Sequence, residues 1–384
     1  MTGAQRLRLL MLRAVGRRYP RPATSSPPRR VLLVRPDHLG DMLFATPAFQ
    51  QLRAGLPNAR LTLLAGPWSQ AVVARNPDLD EVLTCRFPGF ERRPKESLIA
   101  PYRLLFEMAG RLAGRFDAAL ILRFDHWWGA WLAAAAGIPR RIGYDQPETR
   151  PFLTEALPYH PDRHEVEQNA ALVRALLGGA AGTDRPGALR FVIGAAAQRW
   201  AADWLAAHAF PADRPLIAIH PGAGAAVKQW PPAAWATVAD RLSAACDAPI
   251  VLTGSAAEQP LARAIAARMA RPVLDATGQT DLEQLAALFV RCTLVLGSDS
   301  GPLHLAVAVG AATVHLYGPV SAAKFGPWGE PARHIVLQTP WPCAPCNRLD
   351  WPAHVLAEHR CMAAIPVQHV LAAAQRLLSP TSIC

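Results

Sequence analysis

The sequence predicts an α/β protein made of two doubly wound parallel-sheet domains. Three observations carry this expectation. From residue 31 onward, short apolar runs alternate with stretches of helical spacing. Gly-bearing turns follow the apolar runs in both halves, and in parallel sheets ligands sit at the carboxyl ends of strands. Between the halves lies Gly178–Gly187, GGAAGTDRPG, with the composition of a hinge. The expected division is a leader and linker at 1–30, one domain at 31–185 and a second at 186–384.

At 384 residues the chain has room for two domains of ordinary size, and its 51% apolar content fills sizeable cores. The longest apolar stretch, Trp127–Pro139, is too short for a membrane span and is broken by Gly. The N-terminus lacks a continuous signal-peptide core with a small-residue cleavage site. Seven scattered Cys, an odd number, argue for a reducing cytoplasm.

The net charge of +11 is uneven: residues 1–30 carry eight Arg and no acid, which leaves +3 for the rest. The basicity therefore belongs to the leader and does not make the body a nucleic-acid binder. Arg6–Tyr19 mixes Leu7, Leu10, Met11, Ala14 and Val15 with Arg6, Arg13, Arg17 and Arg18. Two readings stay open here, a basic amphipathic helix on an anionic membrane surface and a solvated, partly disordered leader. Ala23–Arg30 reads as a linker.

In the first half, Val31–Val34 is a buried-strand run. It leads through Arg35-Pro36-Asp37-His38-Leu39-Gly40-Asp41 into a helix from about Leu43 to Leu56. Gly40 admits a ligand close to the backbone. Asp41, near a helix start, either complements the dipole or is a catalytic carboxylate. Arg60–Ala65, Glu81–Thr84, Ala118–Leu122 and Arg141–Tyr144 follow as strands. Ser69–Arg75, Pro101–Arg115, His126–Ala136 and His164–Leu177 are the helices, and Phe87–Lys95 is a loop. The three Trp of His126–Ala136 are read as packed against the sheet rather than stacked on a ligand.

The second half repeats the scheme. Helix Ala195–His208 precedes strand Leu216–His220 and the turn Pro221–Trp230, PGAGAAVKQW, in which Gly222 and Gly224 bring N–H groups toward an anion. Only three of the 40 basic residues are Lys, and Lys228 lies in this turn; a compact ammonium on a flexible stem suits a diphosphate or ribose. Pro249–Leu252, helix Glu258–Ala270, Val273–Asp275 with Thr277-Gly278, and helix Leu282–Val290 come next. The stretch Thr293–Pro319 then reads as strand, tight polar turn Gly297-Ser298-Asp299-Ser300-Gly301, helix Pro302–Val309 and strand Ala312–Tyr317. Asp299 and Ser300 either cap that helix or, with Gly301 and His304 one turn on, form a ligand site at its N-terminus; the combination favours the site. At the tail, Cys343, Cys346 and Cys361 are read as free thiols, with a zinc site as the lesser alternative, before a closing helix Pro366–Leu378.

Three ordered blocks now line up: Arg35-x-x-x-x-Gly40-Asp41-x-x-x-x-x-Pro47, His220-Pro221-Gly222 with Lys228-x-Trp230-Pro231, and Asp299-Ser300-Gly301-Pro302-x-His304-x-Ala306, with Asp275-x-x-Gly278 between the last two. With them, residues 31–378 resemble the glycosyltransferase family 9 heptosyltransferases, which build the inner core of bacterial lipopolysaccharide. The resemblance implies a GT-B fold, two Rossmann-like domains facing a central cleft. It implies an inverting, metal-independent and cofactor-free transfer from a nucleotide-sugar donor, ADP-heptose in the usual case, to a lipid-linked saccharide on the cytoplasmic side. Peripheral contact with the inner membrane would run through residues 1–20. The family pattern makes Asp41 the general base and puts the turn His38–Gly40 at the donor phosphates. It puts Gly222–Gly224 beside the diphosphate, Lys228 on the ribose–phosphate, Asp299 on sugar hydroxyls, and Ser300 and Gly301 at the phosphates, with His304 in the same donor site. The Gly-Ala-Gly after His220 departs from the hydroxyl residues that several heptosyltransferases carry there. Two alternative functions on a related fold are a nucleotide-sugar epimerase and a non-catalytic nucleotide-sugar-binding protein.

Overall fold

Runs such as Val31-Leu32-Leu33-Val34 and Leu294-Val295-Leu296 are fully buried, as parallel strands covered by helices on both faces require. Each belongs to its own six-stranded sheet. The computed structural model describes residues 3–20, 22, 26–91, 97–179, 185–210 and 214–378. The chain divides into two units, Met1–Gly187 and Ala188–Cys384. Residues 180–184 of the expected hinge, 92–95 of the expected loop and 23–25 of the expected linker lie outside the described residues.

The first unit contains α1 (Gly3–Gly16), β1 (Arg30–Arg35), α2 (Leu39–Gly55), β2 (Arg60–Ala65), α3 (Gln70–Val73), β3 (Glu81–Thr84), α4 (Ala100–Leu112), β4 (Ala118–Ile121), α5 (Trp127–Ala135), β5 (Arg140–Tyr144), β6 (Glu155–Leu157) and α6 (Glu165–Leu176). Its strands run parallel in the order β3-β2-β1-β4-β5-β6. The second unit contains α7 (Ala195–Ala207), β7 (Ile217–His220), α8 (Pro232–Cys246), β8 (Ile250–Leu252), α9 (Gln259–Ala266), β9 (Val273–Asp275), α10 (Leu282–Val290), β10 (Leu294–Ser298), α11 (Gly301–Ala308), β11 (Ala312–Tyr317), α12 (Ala322–Phe325), β12 (His334–Gln338) and α13 (Val367–Leu378). Its parallel order is β12-β11-β10-β7-β8-β9.

Each unit begins at the sheet centre, winds outward over two strands, then returns to the other side of its first strand. The winding reverses between β1 and β4 in one unit and between β7 and β10 in the other. Loops leaving the two strands at such a reversal diverge, which opens a crevice at their carboxyl ends. The register sets Val34 beside Ile121 and His220 beside Gly297, so the 35–41 and 122–126 segments leave one crevice, and the 221–230 and 298–304 segments leave the other.

Four elements come in addition to those expected, the one-turn helix α12 among them. Pro232–Cys246, left without an element in the sequence, is helix α8; Pro232 opens it and Asp247 ends it in the left-handed region at φ 47. Its buried face, Trp235, Val238, Ala239 and Leu242, has the i, i+3, i+4, i+7 spacing, so the signal was present. The strands β6 and β12 are sheet edges, only partly buried along most of their length; β6 has no apolar run to mark it, whereas Ile335-Val336-Leu337 in β12 was a readable one.

The leader is also more ordered than one of its two readings allowed. Helix α1 buries Leu12 completely and Leu9 almost so. Trp131 Nε1 donates to the Tyr19 hydroxyl at 2.9 Å, Arg141 donates to the Pro20 carbonyl at 2.9 Å, and the Arg8 guanidinium lies 5.0 Å from the Trp127 ring centre. Residues 3–20 are a docked helix and its tail, not a solvated coil. Trp128 and Trp131 are buried in the same core, as expected of them.

Gly297 fixes how closely β10 approaches the β7 loop. A Cβ there would lie 2.6 Å from the His220 carbonyl oxygen and 2.3 Å from Leu303 Cδ2. Gly297→Ala is therefore expected to lower stability by about 1–3 kcal/mol, read as a fall in the urea midpoint at unchanged slope. A wild-type midpoint would show that the strand ends are not closely packed.

Candidate active site

An Arg at the end of a buried strand needs partners, because an unpaired charge in the interior is costly. Arg35, at the end of β1, is almost fully buried. Its guanidinium contacts Asp37 at 2.8 Å, Glu165 at 3.1 Å and Asp41 at 3.5 Å, and donates to the Leu122 carbonyl at 2.8 Å and to Asn169 Oδ1 at 3.1 Å. Arg123, beyond β4, closes on the other oxygen of Asp37 and pairs outward with exposed Asp125 at 2.6 Å. Two guanidiniums thus face three inner carboxylates, Asp37, Asp41 and Glu165.

The excess carboxylate shows in the protonation equilibria. Burial pushes the Asp37 carboxyl up, but Arg35 and Arg123 together hold it below its ordinary value. Asp41 is pushed up to about 7, first by burial and then by the charge of Asp37, with Glu165 adding to the push and Arg35 opposing it. Some 34% of the Asp41 side chain stays accessible, so solvent softens the shift without reversing it. Protonating Asp41 is the cheapest way for this cluster to balance its charge.

Helix α2 starts at Leu39, with His38 in extended conformation as the residue before it. Gly40 and Asp41 are therefore in the first helical turn. The open Gly turn expected at 38–40 is not what forms: its last residues are already helix. The His38 ring lies 5.4 Å from Trp68, whose Nε1 donates to the Pro36 and Asp37 carbonyls at 3.0 and 3.1 Å and fixes the bend. The first N–H groups of α2 remain available to an anion.

In the second unit, Lys228, Asp299 and His304 come together. Lys228 Nζ is 2.7 Å from Asp299 Oδ2, and His304 Nε2 is 3.6 Å from Asp299 Oδ1. Burial would raise the Asp299 carboxyl, but the hydrogen bond from His304 and the charge of Lys228 pull it down to about 2. Ser300 precedes helix α11 in extended conformation without a side-chain cap bond, and its buried hydroxyl has no hydrogen-bond partner among the described residues. Neither side chain plays the plain capping role: the Asp299 carboxylate is taken up by Lys228 and His304, and the Ser300 side chain makes no cap hydrogen bond. Gly301 is the first residue of α11.

On the adjoining loop, Gly222 is buried and Gly224 exposed. A Cβ on Gly222 would lie 1.7 Å from Glu258 Oε1, so the bare backbone makes room for that carboxylate. Glu258 accepts from the Ser255 amide at 2.7 Å and hydroxyl at 2.8 Å. His220 is buried, bonds Thr253 Oγ1 at 3.1 Å and is lowered to about 4 by burial against the opposing charge of Glu258, which keeps it neutral. Trp230 anchors the far end of the loop in the core, donating to the Ile365 carbonyl at 3.2 Å.

The sequence missed Asp37, Arg123, Glu165 and Glu258 as site residues. Glu165 is 130 residues from Arg35, and no local pattern announces that pairing. For Glu258, the Ser255-x-x-Glu258 spacing was a readable signal of a capping box. Cys343 and Cys346 are exposed and Cys361 is buried, none in a disulfide. Among the described residues, no group of three or more His, Cys, Asp or Glu is gathered to hold a metal ion.

Comparison with known proteins gives concordant matches. The sequence model of one family, glycosyltransferase family 9 (heptosyltransferase), matches residues 106–352. Lipooligosaccharide heptosyltransferase 2 of Haemophilus ducreyi is 27% identical over 323 residues, which covers 80% of this chain and 88% of that protein. Lipopolysaccharide heptosyltransferase 2 of Salmonella typhimurium is 27% identical over 323 residues, covering 81% and 88%. A solved glycosyl transferase family 9 structure from Veillonella parvula superposes with a TM-score of 0.77 at 24% identity, over 93% of this chain and 99% of that one. The E. coli ADP-heptose lps heptosyltransferase II structure gives 0.70 at 22%, over 91% and 98%. The fold is the GT-B fold of those structures.

The two aspartates are expected to titrate far apart. In carbon-13 NMR spectra, the Asp41 carboxyl should titrate near 7 and that of Asp299 near 2. Asp37→Asn removes the like charge, so the Asp41 value should fall toward the ordinary carboxylate range. An unmoved Asp41 titration in that variant would dismiss the crowding account.

Proposed function

This chain belongs to glycosyltransferase family 9, and from that premise we propose that it moves a heptose from ADP-heptose to a lipopolysaccharide core or related lipid-linked glycan, with inversion and without a metal. The heptosyltransferases of H. ducreyi and S. typhimurium support the sugar and the acceptor class. The observation that carries the reaction type is Asp41, a partly open carboxylate raised to about 7 at the carboxyl end of a central strand. A general base works best when its pKa lies near the working pH.

In this reading the acceptor hydroxyl oxygen attacks the anomeric carbon from the face opposite the diphosphate, and its proton passes to Asp41. The bond from the anomeric carbon to the leaving oxygen breaks, and the electron pair leaves with the nucleoside diphosphate. Charge grows on that diphosphate, and Lys228, the Ser300 hydroxyl and the first N–H groups of α11 neutralise it. Exposed Gly224 lets the 221–230 backbone approach the same oxygens, while the space beside Gly222 is taken by Glu258. Asp299 accepts from sugar hydroxyls while Lys228 and His304 hold it in place. In the first unit, His38 and Gly40 at the start of α2 offer backbone N–H groups to a donor phosphate. No cofactor is used beyond the donor, and nucleic acid is not a partner. Among the described residues no helix is long and apolar enough to cross a membrane; the enzyme reaches its lipid-linked acceptor from the cytoplasmic side by peripheral contact through residues 1–20.

Asp41→Ala is expected to bind donor normally by calorimetry while transfer falls roughly 10²–10⁴-fold, the usual worth of a general base. Retained turnover would remove Asp41 from that role. Because the base must be deprotonated, wild-type kcat/KM should rise with pH through about 7, rather than level off above the usual Asp range. Lys228→Ala should weaken donor binding roughly tenfold or more, the worth of a charge-assisted bond. Unchanged donor affinity would place Lys228 outside the donor site. Turnover should persist in EDTA.

A further inference from the structure

Helix α1 is apolar on two opposite sides. Leu9, Leu12 and Gly16 are turned into the first unit. Leu7, Leu10 and Met11, spaced i, i+3, i+4, form a second stripe, with Leu7 71% and Leu10 62% exposed. By helical geometry Arg6 and Arg13 flank that stripe on one side and Arg8 on the other, and Arg17 and Arg18 follow the end of the helix, all exposed. A second exposed apolar group lies just before and along α4: Leu98 at 86%, Ile99 at 74% and Phe106 at 54%. Both helices pack on the tryptophans of α5. The Phe106 ring centre is 6.0 Å from Trp131, Tyr19 bonds Trp131, and Arg8 covers Trp127. Below α1 opens a cavity of about 790 Å³ lined by Arg13, Arg17, Arg150, Asp145 and Thr154 among others. Three guanidiniums there face one carboxylate, so the cavity is electropositive.

We propose that this face docks the enzyme on an anionic phospholipid leaflet. Leu7, Leu10 and Met11, with Leu98, Ile99 and Phe106, enter the headgroup–acyl boundary, and Arg13, Arg17 and Arg150 take a lipid phosphate in the cavity beside it. Apolar side chains ringed by Arg, with no acid in the first 30 residues, match the chemistry of such a surface and not that of water. A helix that served only the core would leave its outer side polar. The proposal gives a surface to the membrane contact of the preceding section and rests on the lipid-linked acceptor, while its test uses no substrate.

The full chain is sedimented with vesicles of phosphatidylcholine alone and with vesicles containing phosphatidylglycerol. Binding is expected to the second kind, weakening with salt. Arg13→Gln/Arg17→Gln should lower partitioning roughly tenfold or more, since each Arg near an anionic surface is worth about 1 kcal/mol. Leu7→Ser/Leu10→Ser should abolish partitioning while the unfolding midpoint and transfer to a water-soluble, delipidated acceptor stay at wild-type levels. Equal binding to both vesicles, or wild-type partitioning in both variants, would overturn the proposal. So would a concentration-dependent dimer without vesicle binding, which would make a second copy the occupant. Stabilisation by inorganic phosphate without vesicle binding would make the cavity a site for a free anion and overturn it as well. Failure of transfer to the soluble acceptor by the wild type, with vesicle binding intact, would count against the reaction and not against the surface.

Discussion

A parallel strand cannot return to its neighbour without a crossover, and the crossovers cover both faces of the sheet. Strands in such a sheet are apolar throughout, so polar chemistry is confined to their ends. Both units of this protein obey that constraint. In each, the winding reverses between the first and fourth strands of the unit, β1 and β4 or β7 and β10. The polar clusters arise where the connecting loops part: Arg35, Asp37 and Asp41 in one unit, and Lys228, Asp299, Ser300 and His304 in the other.

The two crevices solve opposite electrostatic problems. In the first, three inner carboxylates share two guanidiniums, and the most accessible of them, Asp41, carries the deficit as a raised pKa. In the second, one carboxylate is held by an ammonium and an imidazole, so Asp299 stays ionised deep into acid. Two residues of one type are thereby driven in opposite directions by their surroundings, the usual mark of divided roles in a reaction. The proposed reaction calls for this division: a group that takes a proton from the acceptor, and a group that keeps its charge to orient the donor.

The docked leader has two apolar sides with different surroundings. Its Leu9–Leu12 side completes the core built on Trp128, Trp131 and Phe152, while its Leu7–Leu10 side is left bare. Helix α1 is therefore part of the first unit's packing, and Arg13 on it and Arg17 just beyond it line a cavity of that unit.

The sequence by itself determined the class of fold, the alternation of strands and helices, and the positions of Asp41, Lys228, Asp299 and His304. Those are local matters: side-chain period sets the element, Gly and Pro set the turn, and motifs sit where strands end. It also held α8 and the Ser255–Glu258 cap in plain spacing. Tertiary structure alone decided that Glu165 joins Arg35 across 130 residues, that Glu258 fills the space left by Gly222, that Ser300 caps nothing, and that α1 is packed on one side and open on the other. Burial and Coulomb energy depend on distance in space, not along the chain, so the same Asp reads alike at 41 and 299 in the sequence and titrates far apart in the fold.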